Sequence, residues 1–531
     1  MEKASQMGKT SAMGSFQLLI GVAVSTIIMA FGTIFLTRFL GNDNYGLYVL
    51  SMAPSVMIIL FRDWGVSSAI TKYIASLRAE GKESETCDIV LAGATFEVAT
   101  GVALSILSFA LAGLFAYILK RPEIYPYISI MSITILAGSL LTTAQYGFIG
   151  YERMNLYSLT MICQAIVKTA VGPALVLLGY GIFGAVFGYT VGYISAALIG
   201  VALLYFLLYR PLTKPRRTRG SIFQTLKPML KYGIPLSISS ILSGLLGQVN
   251  TLLMGVYIPN TTSGNSIIGN YGAAVNFAVL LTFFTMPIAT VLFPAFAKLD
   301  SNKEHELLKT VFASSIKYTA ILLIPATMAV MALSTPIVNT LFGQQYAYAP
   351  FFLSLYVISN LYAVGGSLSL NSFLSGLGET KMLMKLAIIT LIIGISLAFL
   401  LIPPLGVPGA IIGMLLSVIP STALGLYWVW KHYEAKAEFR SSAKIFTASA
   451  LAATASFLIT FVPTAAWMQL VLGLAIFLVI YIFGAPLIGA VGQPDIDTLR
   501  NMFSGLGIVS KIINIPLKAA ERAMQIKARA R

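Results

Sequence analysis

The chain has 531 residues but only two cysteines, Cys87 and Cys163, and two histidines, His305 and His432. Both cysteines fall at or within apolar runs and the histidines in separate loops, so neither a disulfide framework nor a Cys/His metal centre or catalytic pair is expected. Charge is scarce as well. Asp, Glu, Lys and Arg make up 10% of the residues, against about 25% in an average soluble protein. No Walker P-loop is present, so direct drive by ATP is not expected. No catalytic residue, metal ligand or cofactor site is predicted.

What is there is hydrophobic: 57% of the chain, with no charge from Leu386 to Trp430. Such a run exceeds the roughly 20 residues that cross a bilayer as helix. The first apolar run, Phe16 to Leu36, is too long for the core of a cleaved signal and reads as a span. The expectation is an all-α polytopic membrane protein with fourteen spans, near 15–37, 45–62, 87–116, 127–149, 156–178, 182–209, 232–258, 267–295, 311–333, 350–375, 382–402, 407–430, 443–463 and 467–490.

Placing the amino terminus inside puts all but four of the 35 basic residues on the inner side; the four are Arg38, Lys120, Arg121 and Lys168. Basic residues collect in cytoplasmic loops, so both termini are predicted to be cytoplasmic, in a plasma membrane. The net charge of +16 then reflects topology and not a nucleic-acid partner. Asn260-Thr261-Thr262 falls outside and reads as a glycosylation sequon.

The chain also repeats itself. Asn44-Tyr45-Gly46 returns as Asn270-Tyr271-Gly272. Phe148, Gly150, Glu152 and Arg153 find an echo in Phe373, Gly376, Glu379 and Lys381. Gly181, Gly184, Ala185 and Gly188 return as Gly406, Gly409, Ala410 and Gly413. The offset is 225 or 226 (270 − 44 = 226; 406 − 181 = 225) except at Glu152 and Arg153, where it widens to 227 and 228 (379 − 152 = 227; 381 − 153 = 228). Six spans separate the copies, so they share one orientation: parallel repeats, the mark of a transporter built from two halves. The predicted organisation is a six-helix bundle at 1–209, a basic Pro-containing linker at 210–231, a second bundle at 232–430, two further helices at 431–490 and a basic tail at 491–531. The linker and tail carry basic residues suited to anionic lipid headgroups. Residues 63–82 are too polar to span; Val66, Ile70, Tyr73, Ile74 and Leu77 follow helical spacing. They read as an amphipathic helix on the inner surface.

Ionisable groups inside a membrane are costly and are therefore functional candidates. Glu97 and Lys168 lie mid-span at similar depth, ~15–18 Å from the inner end, which suggests an ion pair, with Gln164 one turn from Lys168. Such a pair is either a structural tie or a site where Lys168 meets an anionic headgroup and Glu97 sets its charge or carries a proton. Arg38, Arg62 and Asp63 end spans 1 and 2 and read first as interfacial anchors. The second half offers only amides in its spans: Gln248, Asn250, Asn276, Asn360 and Asn371. They glue helices together or line a cavity. Pro235, Pro287 and Pro294 mark spans 7 and 8 and predict bends there.

Several stretches then resemble one family. Residues 38–48 (RFLGNDNYGLY), 63–75 (DWGVSSAITKYIA) and 226–236 (LKPMLKYGIPL) are similar to the first external loop, the segment after span 2 and the approach to span 7 of the polysaccharide transporter family. These are Wzx-like proteins of the multidrug/oligosaccharidyl-lipid/polysaccharide flippase superfamily. The resemblance covers nearly the whole chain. It implies a V-shaped cavity between the two bundles, gate spans 1, 2, 7 and 8, and transfer of a polyprenyl-linked oligosaccharide to the outer leaflet. In related lipid II flippases the last two spans form a groove for the lipid tail, a role the resemblance implies for spans 13 and 14. Those flippases carry arginines within the first span, and this chain has none between Ser15 and Thr37, so that phosphate site is not carried over. The alternatives are a cation-coupled multidrug exporter of the same superfamily, which Glu97 keeps open with H+ or Na+ as the ion, and a non-transporting scaffold of a glycan assembly complex. A glycosyltransferase would have to rely on Asp495 and Asp497, a weak acidic pair.

Overall fold

A computed structural model describes residues 2–212, 222–281, 305–436, 439–503 and 508–529. Among the described residues every regular element is a helix. Ten helical stretches among the described residues are long and apolar enough to span a membrane. Two of these are double. The Ile20–Ile59 stretch of α1 (Glu2–Ile59) would measure ~60 Å if straight, twice a bilayer's hydrocarbon core, and it is interrupted at Gly41, where φ is +77°. Met154–Tyr209 is interrupted at Gly179 and Gly181, both with positive φ. A further crossing, Ala349–Gly376, is broken by 58° at Gly366. The expected eighth span begins in Thr262–Ala278 and runs into residues outside the described ones. The fourteen expected spans thus have helical counterparts wherever the chain is described.

The repeat recurs in the backbone. Tyr151, Glu152 and Arg153 donate to the carbonyls of Gly147, Ile149 and Phe148; Leu377, Gly378 and Glu379 donate to those of Phe373, Ser375 and Leu374. Every donor and acceptor is displaced by 226. Gly181 (φ 50°, ψ −131°) and Gly406 (φ 62°, ψ −132°) make the same turn 225 residues apart. The glycines after these turns let paired helices close: a Cβ on Gly188 would strike the Gly172 backbone, and one on Gly409 the Leu401 carbonyl.

Contacts divide the chain into Met1–Gly269 and Asn270–Arg531. In the first unit, α3 (Thr86–Ile118) packs on α2 (Val66–Ala79) and on α5 (Ile133–Gly150), which follows the short α4 (Tyr125–Met131). Helices α6 (Met154–Leu175) and α7 (Gly181–Leu203) pack together and against α1. Helix α8 (Ile222–Tyr257) opens the second repeat in sequence but packs on α1, α2 and α3. The packing boundary therefore falls after α8, not in the basic linker, of which residues 213–221 lie outside the described ones.

One expectation is corrected in this unit. Helix α2 does not lie with its apolar face on lipid. Val66, Ala69, Ile70 and Ile74 are fully buried among α3, α5 and α8, sharing a core with Phe148 and Met229. Helix α8 runs on as one helix through Pro228 and Pro235; Pro287 and Pro294 are outside the described residues. Helix α2 meets α8 backbone to backbone. Gly65, at φ +77°, leaves no room for a Cβ against Gly233, whereas Gly81, at φ +76°, faces open space. Gly81→Ala is expected to cost only the left-handed strain of about 1–2 kcal/mol. Gly65→Ala adds a backbone collision and should lower the unfolding midpoint of the detergent-solubilised protein several degrees further, as read by thermal scanning of the two variants.

The second unit holds α9 (Thr262–Ala278) from Asn270 on, then α10 (His305–Ala332), α11 (Ser334–Leu341), α12 (Ala349–Leu361), α13 (Ser367–Gly376), α14 (Thr380–Leu405) and α15 (Val407–Tyr433). Spans 13 and 14, α16 (Phe439–Leu458) and α17 (Ala466–Ile488), pack on each other and attach through α10 and α11. The tail forms α18 (Gln493–Phe503) and α19 (Ile508–Arg529), the latter docked on α17. Asp495 is buried, pairs with Lys317 at 2.7 Å and accepts the Gly492 amide at 2.8 Å. That carboxylate is a tether for the tail.

Candidate functional site

Span 2 breaks after Ile59, and a short turn through Asp63 to Gly65 leads into α2. Asp63 accepts the Ser67 amide at 3.2 Å, satisfying a free donor in the first turn of α2. This turn aims Arg62 inward. Its side chain is 11% exposed, its Nε lies 3.6 Å from Glu97 Oε2, and its Nη2 donates to Thr142 Oγ1 at 2.7 Å. Glu97 is fully buried on α3 and accepts from Ser67 Oγ at 3.4 Å. Gly138 makes room for the guanidinium: a Cβ there would stand 2.5 Å from Arg62 Nη1.

The expected Glu97–Lys168 pair is therefore replaced by Glu97–Arg62, and Arg62 is an interior residue and not a surface anchor. Equal depth does not make two side chains face each other. Helix α3 lies against α2 and α5, while α6 lies against α1 and α7. Lys168 points to α7, where its Nζ stands 4.3 Å from the centre of the Tyr189 ring, a cation–π contact. It has no acidic partner within ion-pair distance among the described residues. The Tyr189 and Tyr193 rings meet tilted, with centres 5.1 Å apart and planes at 35°. Tyr193 in turn stands beside the Gly138 notch that receives Arg62. Arg62 and Lys168 thus flank one tyrosine cluster, Tyr189 and Tyr193, which sequence reasoning passed over because aromatic residues in apolar helices look like ordinary packing.

The remaining candidates are dispersed. Gln164 is half-buried one turn from Lys168, and Arg38 is exposed on α1. Asn250 is buried on α8, with Gln248 half-buried nearby. Asn276 donates to the Gly272 carbonyl within its own helix at 2.9 Å, and Asn360 is half-buried on α12; both belong to the second unit.

Arg121, counted above among four stray basic residues, is fully buried. All five of its N–H groups are used. Nε donates to Asn265 Oδ1 at 2.9 Å; Nη1 to the Leu119 and Gly255 carbonyls at 2.8 and 2.5 Å; Nη2 to the Ile258 and Pro259 carbonyls at 3.1 and 3.3 Å. Gly255, Ile258 and Pro259 carry carbonyls at the end of α8, where the helix leaves acceptors unsatisfied and its dipole is negative. The opposite end of the same seam is held by Gly65 on Gly233, Tyr73 Oη on the Pro228 carbonyl at 3.4 Å and Lys72 over the Tyr232 ring at 3.9 Å.

In the second unit, Met328, Met331 and Ala332 of α10 face Ala450, Ala453 and Phe457 of α16 across an apolar cavity of about 340 Å³. Helix α17 presents Trp467, Val471, Leu478 and Val479 outward, all more than 45% exposed. These are surfaces for hydrocarbon.

A polytopic helical chain with an internal parallel repeat, a broken span and buried charge beside the break belongs to the class of membrane transporters. The model for the polysaccharide biosynthesis protein family matches residues 12–300, and the chain belongs to that family. It is 24% identical over 425 residues to the lipopolysaccharide biosynthesis protein WzxC of Escherichia coli K12, covering 76% of this chain and 78% of that one. It is 21% identical over 428 residues to the probable low-salt glycan biosynthesis flippase Agl15 of Haloferax volcanii, covering 79% and 83%. Among solved structures, the inward closed conformation of lipid II flippase MurJ superposes with a TM-score of 0.69 at 16% identity, over 88% of this chain and 98% of that one. An inward-facing multidrug MATE transporter gives 0.64 at 17% identity, over 80% and 98%.

Proposed function

We propose that this protein is a flippase that carries a polyprenyl-linked oligosaccharide, through its phosphate or diphosphate, from the inner to the outer leaflet by alternating access. The observation that carries the reading is the cluster of Arg62, Lys168, Tyr189 and Tyr193, with Tyr189 buried and the other three half-buried, within the unit that matches the family. A sugar headgroup cannot enter hydrocarbon without losing its hydrogen bonds. Two interior cations suit an anionic phosphate, and tyrosines offer flat faces and hydroxyls to sugar rings. The apolar cavity beside α16 suits an isoprenoid tail. The basic face is the cytoplasmic one in this reading, with both termini there and the protein in the plasma membrane.

The test is leaflet-resolved flipping of a fluorescent polyprenyl-diphosphate oligosaccharide by purified protein in vesicles. Lys168→Ala is expected to slow flipping about tenfold without loss of folded protein. An inside-negative potential drives each phosphate charge outward by about 2.3 kcal/mol per 100 mV, so collapsing the potential should slow transfer. Rates that ignore both the variant and the potential would overturn the reading. A second reading rests on Glu97 and Asp63: two carboxylates against one Arg62 leave a negative balance that a proton or Na+ could fill, as in a coupled exporter. Flipping that follows an imposed proton or sodium gradient at zero potential would assign that role.

A further inference from the structure

At the basic face of the second unit, the end of α15 and the start of α10 enclose a space of about 720 Å³, lined by Lys309, Tyr427, Trp430, Lys431, Glu434 and Lys436. Lys309 is already committed, to Glu306 at 2.9 Å and Glu434 at 2.8 Å. The shared Glu434 takes a left-handed turn, φ +54°, that ends α15. Its carboxylate is thereby tied to Lys309. Lys436 is held by an aromatic face, with its Nζ 5.9 Å from the Trp430 ring. Lys431 has no acidic partner within ion-pair distance among the described residues. The lining therefore keeps two positive charges beyond what Glu434 neutralises at Lys309.

The aromatic walls fix where this space lies. Trp430 is 47% exposed and Tyr427 54% exposed at the end of a membrane-spanning helix. Half-exposed tryptophan and tyrosine at such an end sit at headgroup level. A basic pocket between helix ends at that level matches an acidic headgroup in charge, size and depth. We infer that the notch between α10 and α15 is a binding site for the phosphate headgroup of an anionic phospholipid, with Lys431 and Lys436 as its cations and Trp430 and Tyr427 against the glycerol and upper chains. This site does not depend on the flippase reading, and it is separate from the Arg62–Lys168 cluster in the other unit.

Native mass spectrometry of the purified full chain, titrated with phosphatidylglycerol, tests it, with phosphatidylcholine as the neutral comparison. Phosphatidylglycerol should bind in preference. Lys431→Gln/Lys436→Gln should weaken that binding about tenfold. Lys518→Gln/Arg522→Gln, an equal charge loss on exposed positions of α19, should leave it unchanged. Glu434→Gln, which removes the only carboxylate of the lining, should strengthen it. Equal weakening by both double variants would mean general attraction of a basic face and would overturn the site. So would equal binding of the two lipids, or displacement of phosphatidylglycerol by millimolar inorganic phosphate, which would make the occupant a free anion.

Discussion

Arg62→Gln is expected to destabilise the protein more than Arg62→Gln and Glu97→Gln together. Glu97 is fully buried and Arg62 is its only cation within ion-pair distance among the described residues. Removing one member of a buried pair leaves an uncompensated charge, at a cost of about 3–5 kcal/mol. Removing both charges leaves two amides that Ser67 and Thr142 can still hydrogen-bond. Thermal unfolding in detergent should therefore rank wild type and the double variant close together, with Arg62→Gln well below. The flipping assay separates structure from work: a double variant that folds but transports at a few per cent of the native rate marks the pair as part of the machinery. Full transport would make it a structural tie. The exchange Glu97→Lys with Lys168→Glu, which depth alone would suggest, is expected to rescue nothing, because Lys168 faces Tyr189.

That contrast marks how far the chain could be read before folding. The spans and the repeat were legible because hydrophobic length and glycine turns are local properties. Gly181 and Gly406 take nearly the same dihedral angles, and the turns after Gly147 and Phe373 repeat bond for bond. Pairing inside the bundle was not legible. Periodicity gives a residue's height along its helix; the direction it faces depends on how neighbouring helices pack. Arg62 looked like an anchor because it follows the last apolar residues of its span, and only the turn through Asp63 to Gly65 brings it to Glu97. The same limit hid α2, whose apolar stripe could meet lipid or protein with equal ease. Its core neighbour Met229 stands more than 150 residues away in sequence.

Arg121→Met is expected to loosen the seam between α8 and the N-terminal helices at the end opposite Gly65. Four carbonyls and the Asn265 amide would lose their donor, and a buried acceptor left unpaired costs about 1–3 kcal/mol. Those acceptors can recover hydrogen bonds only by meeting water, which requires the end of α8 to withdraw from Leu119 and Asn265. The variant should therefore relieve the cost by opening this end of the seam, not by unfolding. Arg121→Lys keeps the charge but has three donors in place of five, so it should fall between. Spin labels at Lys120 and Tyr257, both exposed beside the seam, would read the separation in a Cys87→Ala/Cys163→Ala background. A longer and broader distance for Arg121→Met, with the midpoint of unfolding little changed, is the expected result. An unchanged distance with a lower midpoint would make Arg121 a part of the static fold. Because the Gly65–Gly233 backbone contact, with Lys72 over the Tyr232 ring, holds the other end of α8 by residues separate from Arg121, the two ends respond to different substitutions. A helix clamped at both ends by independent contacts can be released at one while the other holds, which is the behaviour the proposed alternating access would use.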